Sequence, residues 1–231
     1  MPQGTNYNNL LSKIDIVPEI IFEVGAKDCF DTITIATLYN NAMVYSYECN
    51  PIMINDCKQN IKNYKNVIFN DYALGNNNEY KYFNVYAPNG DINKQVIGAS
   101  SFFSRPDHNN LIQTTKQIKI STLDDELKKY NIKHIDILCM DVQGYELNIL
   151  NGAKQNLSNI QYIIMEQPKS ITEQLINQKT FNIKERNYYI GAPTESEIIN
   201  FMTKNNFEKI SSLQENLFEN NVLYKNLAFV K

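Results

Sequence analysis

The 231-residue chain is poor in the side chains that build metal centres and cross-links, with four cysteines, two histidines and no tryptophan. Cys29, Cys49, Cys57 and Cys139 fall in no CxxC pair, which argues against a zinc site or a disulfide scaffold, so they are read as reduced thiols. Long apolar runs are missing too. Nowhere do about 18 uninterrupted apolar residues occur, and the opening MPQGTNYNNLLSKIDIVPEI has neither the basic head nor the apolar stretch of a secretory signal. The expectation is a soluble, cytoplasmic protein with no membrane partner. Positive charge is not in excess: 22 Lys and Arg face 25 Asp and Glu, a net charge of −3 that supplies no field to hold a polyanion. General nucleic-acid binding is therefore not expected. Phosphate-cradling loops are also lacking, since neither GxxxxGK[ST] nor GxGxxG occurs.

What is present is apolar material for a large core, 43% of the residues. No repeat and no long Gly, Ser or Pro tract divides the chain, so one domain over 1–231 is expected, with 1–19 an N-terminal extension and the core starting near residue 20. Short β-branched or aromatic runs alternate with stretches of helical spacing, the pattern of parallel βαβ units. Strands are expected at 20–24, 43–47, 67–69, 135–140, 162–166, 207–211 and 222–230. Helices are expected at 32–39 with Asp31 capping, from Pro51 through Ile61, from Leu123 with Thr122 capping, and at 195–204. Between about 80 and 120 the helical period is lost, and Tyr80 to Tyr86 and Gln117 to Ile120 read as an inserted hairpin around Gly98-Ala99-Ser100-Ser101-Phe102-Phe103. Its edge also offers the surface on which a second copy could pair.

In open α/β sheets ligands bind at the carboxyl ends of the strands. Glu23 to Gly25, Glu48, Asp71, Asp141 and Glu166 all stand at such ends. Glu48, 23 residues beyond Gly25, is placed to accept both hydroxyl hydrogens of an adenosine ribose, as in sites for NAD and for S-adenosylmethionine. The loop Gly25-Ala26-Lys27-Asp28-Cys29 has one glycine, and Asp28 where a pyrophosphate would come. It fits a ligand without phosphate better than NAD.

FEVGAKDCFDT, YECNP, NDYALG, GASSFF, TLDDEL and above all DILCMDVQGYELNILNGA resemble the successive motifs of the FkbM-type S-adenosylmethionine-dependent methyltransferases, over residues 20 to 168. The resemblance implies a Rossmann-like class I methyltransferase fold, a seven-stranded sheet in the order 3-2-1-4-5-7-6 with the last strand antiparallel and helices on both faces. It implies that Glu23, Gly25 and Ala26 line the methionine end of the cofactor, that Glu48 holds the ribose and that Asp71 with Tyr72 holds the adenine. Asp28, Cys49, Ser100 and Ser101 are expected beside the same ligand. Asp141 is implied to face the transferring methyl, as base or acceptor-orienting group. Where the family has a second glycine this chain has Cys29, so the cofactor loop is expected to be bulkier.

His108, after the GASSFF loop, is the other candidate base, because imidazole titrates near neutrality. The implied acceptor is a hydroxyl on a sugar or glycan, and the segment 181–191, with its aromatic and amide groups, is a candidate for gripping it. The alternatives are a module that keeps the fold but lost turnover through Cys29, and a methyltransferase acting on a non-sugar acceptor.

Overall fold

The computed structural model describes residues 7–87, 97–105, 112–181 and 189–230. The main sheet takes shape from buried runs that cannot be satisfied on one side only. β1 (Ile20–Val24), β2 (Met43–Tyr47), β3 (Val67–Asn70), β7 (Ile135–Met140) and β8 (Ile160–Pro168) are parallel, and β9 (Phe207–Gln214) and β10 (Glu219–Asn226) close the sheet. The order is β3-β2-β1-β7-β8-β10-β9, with β10 antiparallel to both neighbours. Counting these seven strands alone, that is 3-2-1-4-5-7-6, the doubly wound order expected. The strand order reverses between β1 and β7, which opens a crevice at their carboxyl ends.

Alternate residues of the strands serve opposite layers, as a period of two requires. Phe22, Leu138, Met140, Ile163 and Met165 pack in one layer with Leu123 and Leu127 of α4 (Leu123–Lys129), Ile149 of α5 (Glu146–Leu150) and Ile198 and Met202 of α7 (Glu195–Lys204). Ile21, Ile137, Cys139, Tyr162 and Ile164 pack in the other with Ile35 and Ala36 of α2 (Phe30–Leu38). Leu10 and Leu11 of α1 (Tyr7–Leu11) join that second layer fully buried, so core packing starts well before residue 20.

The insertion is larger than a hairpin. β5 (Glu79–Ala87) and β6 (Ile112–Ser121) pair antiparallel, and β4 (Ala73–Leu74) adds to β6 in parallel, giving a separate three-stranded sheet. Ser101 pairs with Asn84 and so ties the 97–104 loop to this sheet.

Helix ends follow their caps only in part. Thr122 accepts from the Asp125 N–H, and Thr194 with Glu197 forms a reciprocal capping box. Asp31 does not cap: α2 starts at Phe30, behind Cys29 in a left-handed conformation with φ 62°, and Asp31 lies in its first turn. α3 (Ile54–Asn60) starts after Pro51, which sits in the preceding turn. α6 (Ile171–Thr180) was not expected from the sequence, because its apolar residues Ile171, Leu175 and Ile176 are half exposed and give no clean core-facing stripe. No helix among the described residues is long and apolar enough to cross a membrane.

Candidate active site

A cavity of about 880 Å³ lies at the carboxyl ends of β1, β2, β7 and β8. Glu23, Gly25, Ala26, Asp28, Glu48, Cys49, Ser100 and Asp141 line it, bringing together eight of the residues singled out from the sequence. Its floor depends on one close approach. Gly25 has φ 91°, and a Cβ there would come within 1.9 Å of the Asp141 carbonyl oxygen, so no other residue lets β1 and β7 converge. The Gly25 and Ala26 N–H groups donate to the Tyr47 carbonyl at 2.9 and 3.0 Å, and the Asp141 N–H to that of Val24 at 3.0 Å, which stitches the loop to both neighbouring strands.

Glu48 closes β2 with both carboxylate oxygens held by main chain: Oε2 accepts from the Lys27 N–H and Oε1 from the Asn50 N–H, each at 2.6 Å. Burial nevertheless pushes its carboxyl up to about 7, against the pull of those amides. Glu23 is buried beside it and accepts from Thr32 and from Ser46, the latter at 3.2 Å, with its carboxyl driven well above the usual range by burial.

On the other side of the crevice the Gln143 side chain bridges two carboxylates. Its Nε2 donates to Asp141 Oδ1 at 2.6 Å and to Glu166 Oε2 at 2.8 Å, while its Oε1 accepts from the Tyr189 hydroxyl at 2.6 Å. Gln143 holds this position with φ 54°, a left-handed conformation that costs about 1–3 kcal/mol in a non-glycine residue and concentrates at functional sites. Burial raises Asp141, and Glu166 is raised well above its usual range, first by burial and then by facing Asp141, Glu219 and Glu146.

Several expected residues lie elsewhere. Asp71 is half exposed in an ion pair with Lys58 at 2.9 Å. Tyr72, partly buried, donates to Glu126 at 2.7 Å, in a polar cluster with Tyr47, Ser121 and the exposed Lys129. Neither reaches the cavity wall, because the chain turns away after β3 to enter β4. Ser101 is buried behind the wall and donates to the Gln143 carbonyl at 2.8 Å, so it braces the turn that carries Gln143. Cys29 does not enlarge the loop toward the cavity: its thiol is fully buried beneath it with Cys57 and Ile61. His108 lies outside the described residues, as does 182–188 of the segment proposed to grip the acceptor.

Sequence reasoning missed Gln143 and Glu219 as lining residues, whereas Tyr189 belongs to the 181–191 segment it did single out. Glu219 had a readable signal: in an antiparallel last strand it is the first residue, not the last, that reaches the carboxyl edge, and Glu219 is opposite Pro168. Among the described residues no group of three or more His, Cys, Asp or Glu is arranged to hold a metal ion.

The methyltransferase FkbM domain model matches residues 23–209. The chain belongs to the FkbM methyltransferase family. A 2-O-methyltransferase, NoeI of Sinorhizobium fredii, is 23% identical over 166 residues, covering 69% of this chain and 68% of that protein. The crystal structure of methyltransferase FkbM from Methylobacillus flagellatus KT superposes with a TM-score of 0.52 at 11% identity, over 90% of this chain but 44% of the other, so this FkbM methyltransferase spans less than half of that protein. TrmK of M. capricolum, solved with S-adenosyl-homocysteine, superposes with a TM-score of 0.52 at 10% identity, over 99% of this chain and 71% of the other. At such identities the structural likenesses establish the Rossmann-like methyltransferase fold alone.

Proposed function

We propose that this FkbM methyltransferase uses S-adenosylmethionine to methylate a hydroxyl on a sugar or glycan. The observation that carries the cofactor is the charge of the cavity: eight acidic side chains line it against Lys27 and Arg105, around a loop with one glycine. Such a lining opposes a pyrophosphate and suits a cationic sulfonium with an ammonium group and a ribose. Gly25 leaves room for close approach at the β1 turn, which fits the same ligand. The O-methyl chemistry is supported by the name of the NoeI relative.

In this reading Glu48 holds the ribose hydroxyls, Glu23, Gly25, Ala26 and Asp28 surround the methionine end, and Cys49, with Asn50 and Ser100 joined at 3.3 Å, borders the base. When bound, the cofactor supplies an electrophilic methyl group. Asp141 and Glu166, fixed by Gln143, orient the acceptor hydroxyl and take its proton, and the converging walls align the reactants.

The test is calorimetric titration with S-adenosylhomocysteine and, in parallel, NAD. Binding of the former in the micromolar range, weakened about 10- to 100-fold by Glu48→Ala through loss of a charge-assisted hydrogen-bond acceptor, is the expected result. Binding of NAD alone would sink the proposal.

A further inference from the structure

A second cavity, about 420 Å³, opens beside the first, within the roughly 300–1,000 Å³ span of small-molecule sites. The two share a wall, since Glu166 and Glu219 line both. Glu166 comes from β8 and Glu219 starts β10, with Glu219 opposite Pro168 and Glu166 opposite Asn221, so the two lie on a diagonal of the same face of this strand pair. The remaining lining includes Ser170 and Ile171 at the start of α6 and Thr194 and Ser196 at the start of α7, with Phe218 and Tyr189 supplying aromatic surface.

Hydroxyl side chains around aromatic rings are what a sugar ring needs, with hydroxyls to pair at its rim and C–H faces to cover. The carboxyl groups of buried Glu146 and Glu166 and of partly buried Glu219 line the same space, and whether or not they hold a proton they offer no cationic partner to an anionic sugar. Lys169, the cation of this lining, has its ammonium on the Asn216 carbonyl at 2.9 Å. The acceptor that fits is therefore neutral.

We propose that this second cavity is the acceptor site, that it takes a neutral sugar ring, and that Glu166 is the group receiving the proton of the hydroxyl to be methylated. The proposal rests on the methyl-transfer reading above. Glu166 alone of the Gln143-bridged pair faces both cavities. In the transfer the hydroxyl oxygen bonds to the methyl carbon, the carbon–sulfur bond breaks with its electron pair left on sulfur, and the hydroxyl proton passes to the Asp141–Glu166 pair through Glu166. Asp141, the base expected from sequence, then acts as partner to Glu166.

Wild type, Ser196→Trp and Glu166→Gln are titrated with S-adenosylhomocysteine and, in its presence, with methyl glycosides of the common hexoses; methyl transfer to the same glycosides is followed from pH 6 to 9. Ser196 is exposed at the cavity mouth and away from the first cavity, so Ser196→Trp is expected to bind S-adenosylhomocysteine as wild type does. It should weaken glycoside binding and raise the acceptor KM by about tenfold or more. Glu166→Gln keeps the shape of the wall and should retain glycoside binding while kcat falls about 100-fold and its rise with pH disappears.

Unchanged glycoside binding in Ser196→Trp overturns the site, and wild-type kcat with an unaltered pH profile in Glu166→Gln overturns the proton role. A wild-type protein that binds S-adenosylhomocysteine but no glycoside overturns the sugar class. Failure to bind S-adenosylhomocysteine defeats the underlying reading instead, so the two failures are distinct.

Discussion

At the β1–β2 half of the crevice, Glu48 is held by two main-chain N–H groups and the loop is fixed by backbone bonds to Tyr47. At the β7–β8–β10 half, Asp141 and Glu166 are held by a single side chain, Gln143, which Tyr189 orients in turn. The first half is rigid because main-chain geometry allows one solution. The second half is the adjustable one, because side chains rearrange at lower cost than main chain.

The contrast breaks most severely at Gly25. Gly25→Ala puts a methyl group against the Asp141 carbonyl at a positive φ, and should cost about 3 kcal/mol or more, read as a large drop in the midpoint of thermal or urea unfolding. Gln143→Leu, in the adjustable half, should leave the fold intact and lower methyl transfer about 10- to 100-fold, with a smaller effect on S-adenosylhomocysteine affinity than Glu48→Ala. Equal losses in both measurements would mean that the halves are not separable.

Both halves should show themselves in the pH dependence of stability, Glu48 in the rigid one and Glu146 in the adjustable one. Burial lifts Glu48 from its ordinary value to about 7 and Glu146 to about 8, so the folded protein binds these protons more tightly than the unfolded chain. That contribution is fully present below about pH 4.5 and is lost as pH rises through 7 and 8. Urea unfolding of the ligand-free protein should lose on the order of 5 kcal/mol between pH 5 and pH 8, and Glu48→Gln should flatten the Glu48 part of that slope. The smallest effect is expected from Cys29→Gly, which relieves a left-handed φ but removes a buried thiol. Stability should change by about 1 kcal/mol or less, with cofactor affinity unaltered, because the thiol faces away from the cavity.

Strands 20–24, 43–47 and 135–140 coincide with the sequence reading, since a continuous buried run bounded by turn residues has one stable solution in a doubly wound sheet. Glu48 was legible for the same reason: a carboxylate one residue past a buried strand has nowhere to go but the crevice. Asp71 follows a strand in the same way yet turns out to the surface and pairs with Lys58, because the next residues are drawn into β4. α6 escaped notice because its apolar positions are not spaced as a buried stripe.

The sequence by itself determined the strand sequence, the single-glycine loop, the carboxylate of Glu48 at the end of β2 and the family, all of them carried by contiguous residues whose local spacing is enough. Only the tertiary structure decided that Gln143 bridges Asp141 and Glu166, that Tyr189 orients it, that Glu219 joins them, and that Cys29 and Tyr72 face away from the cavity. The bonds from Gln143 to Glu166 and Tyr189 join residues 23 and 46 positions apart, and such distances close only when β8 and β10 pair and the 97–105 loop docks on the Gln143 turn. Burial then does what no local pattern can show, raising the carboxyls of Asp141 and Glu166 above their ordinary range.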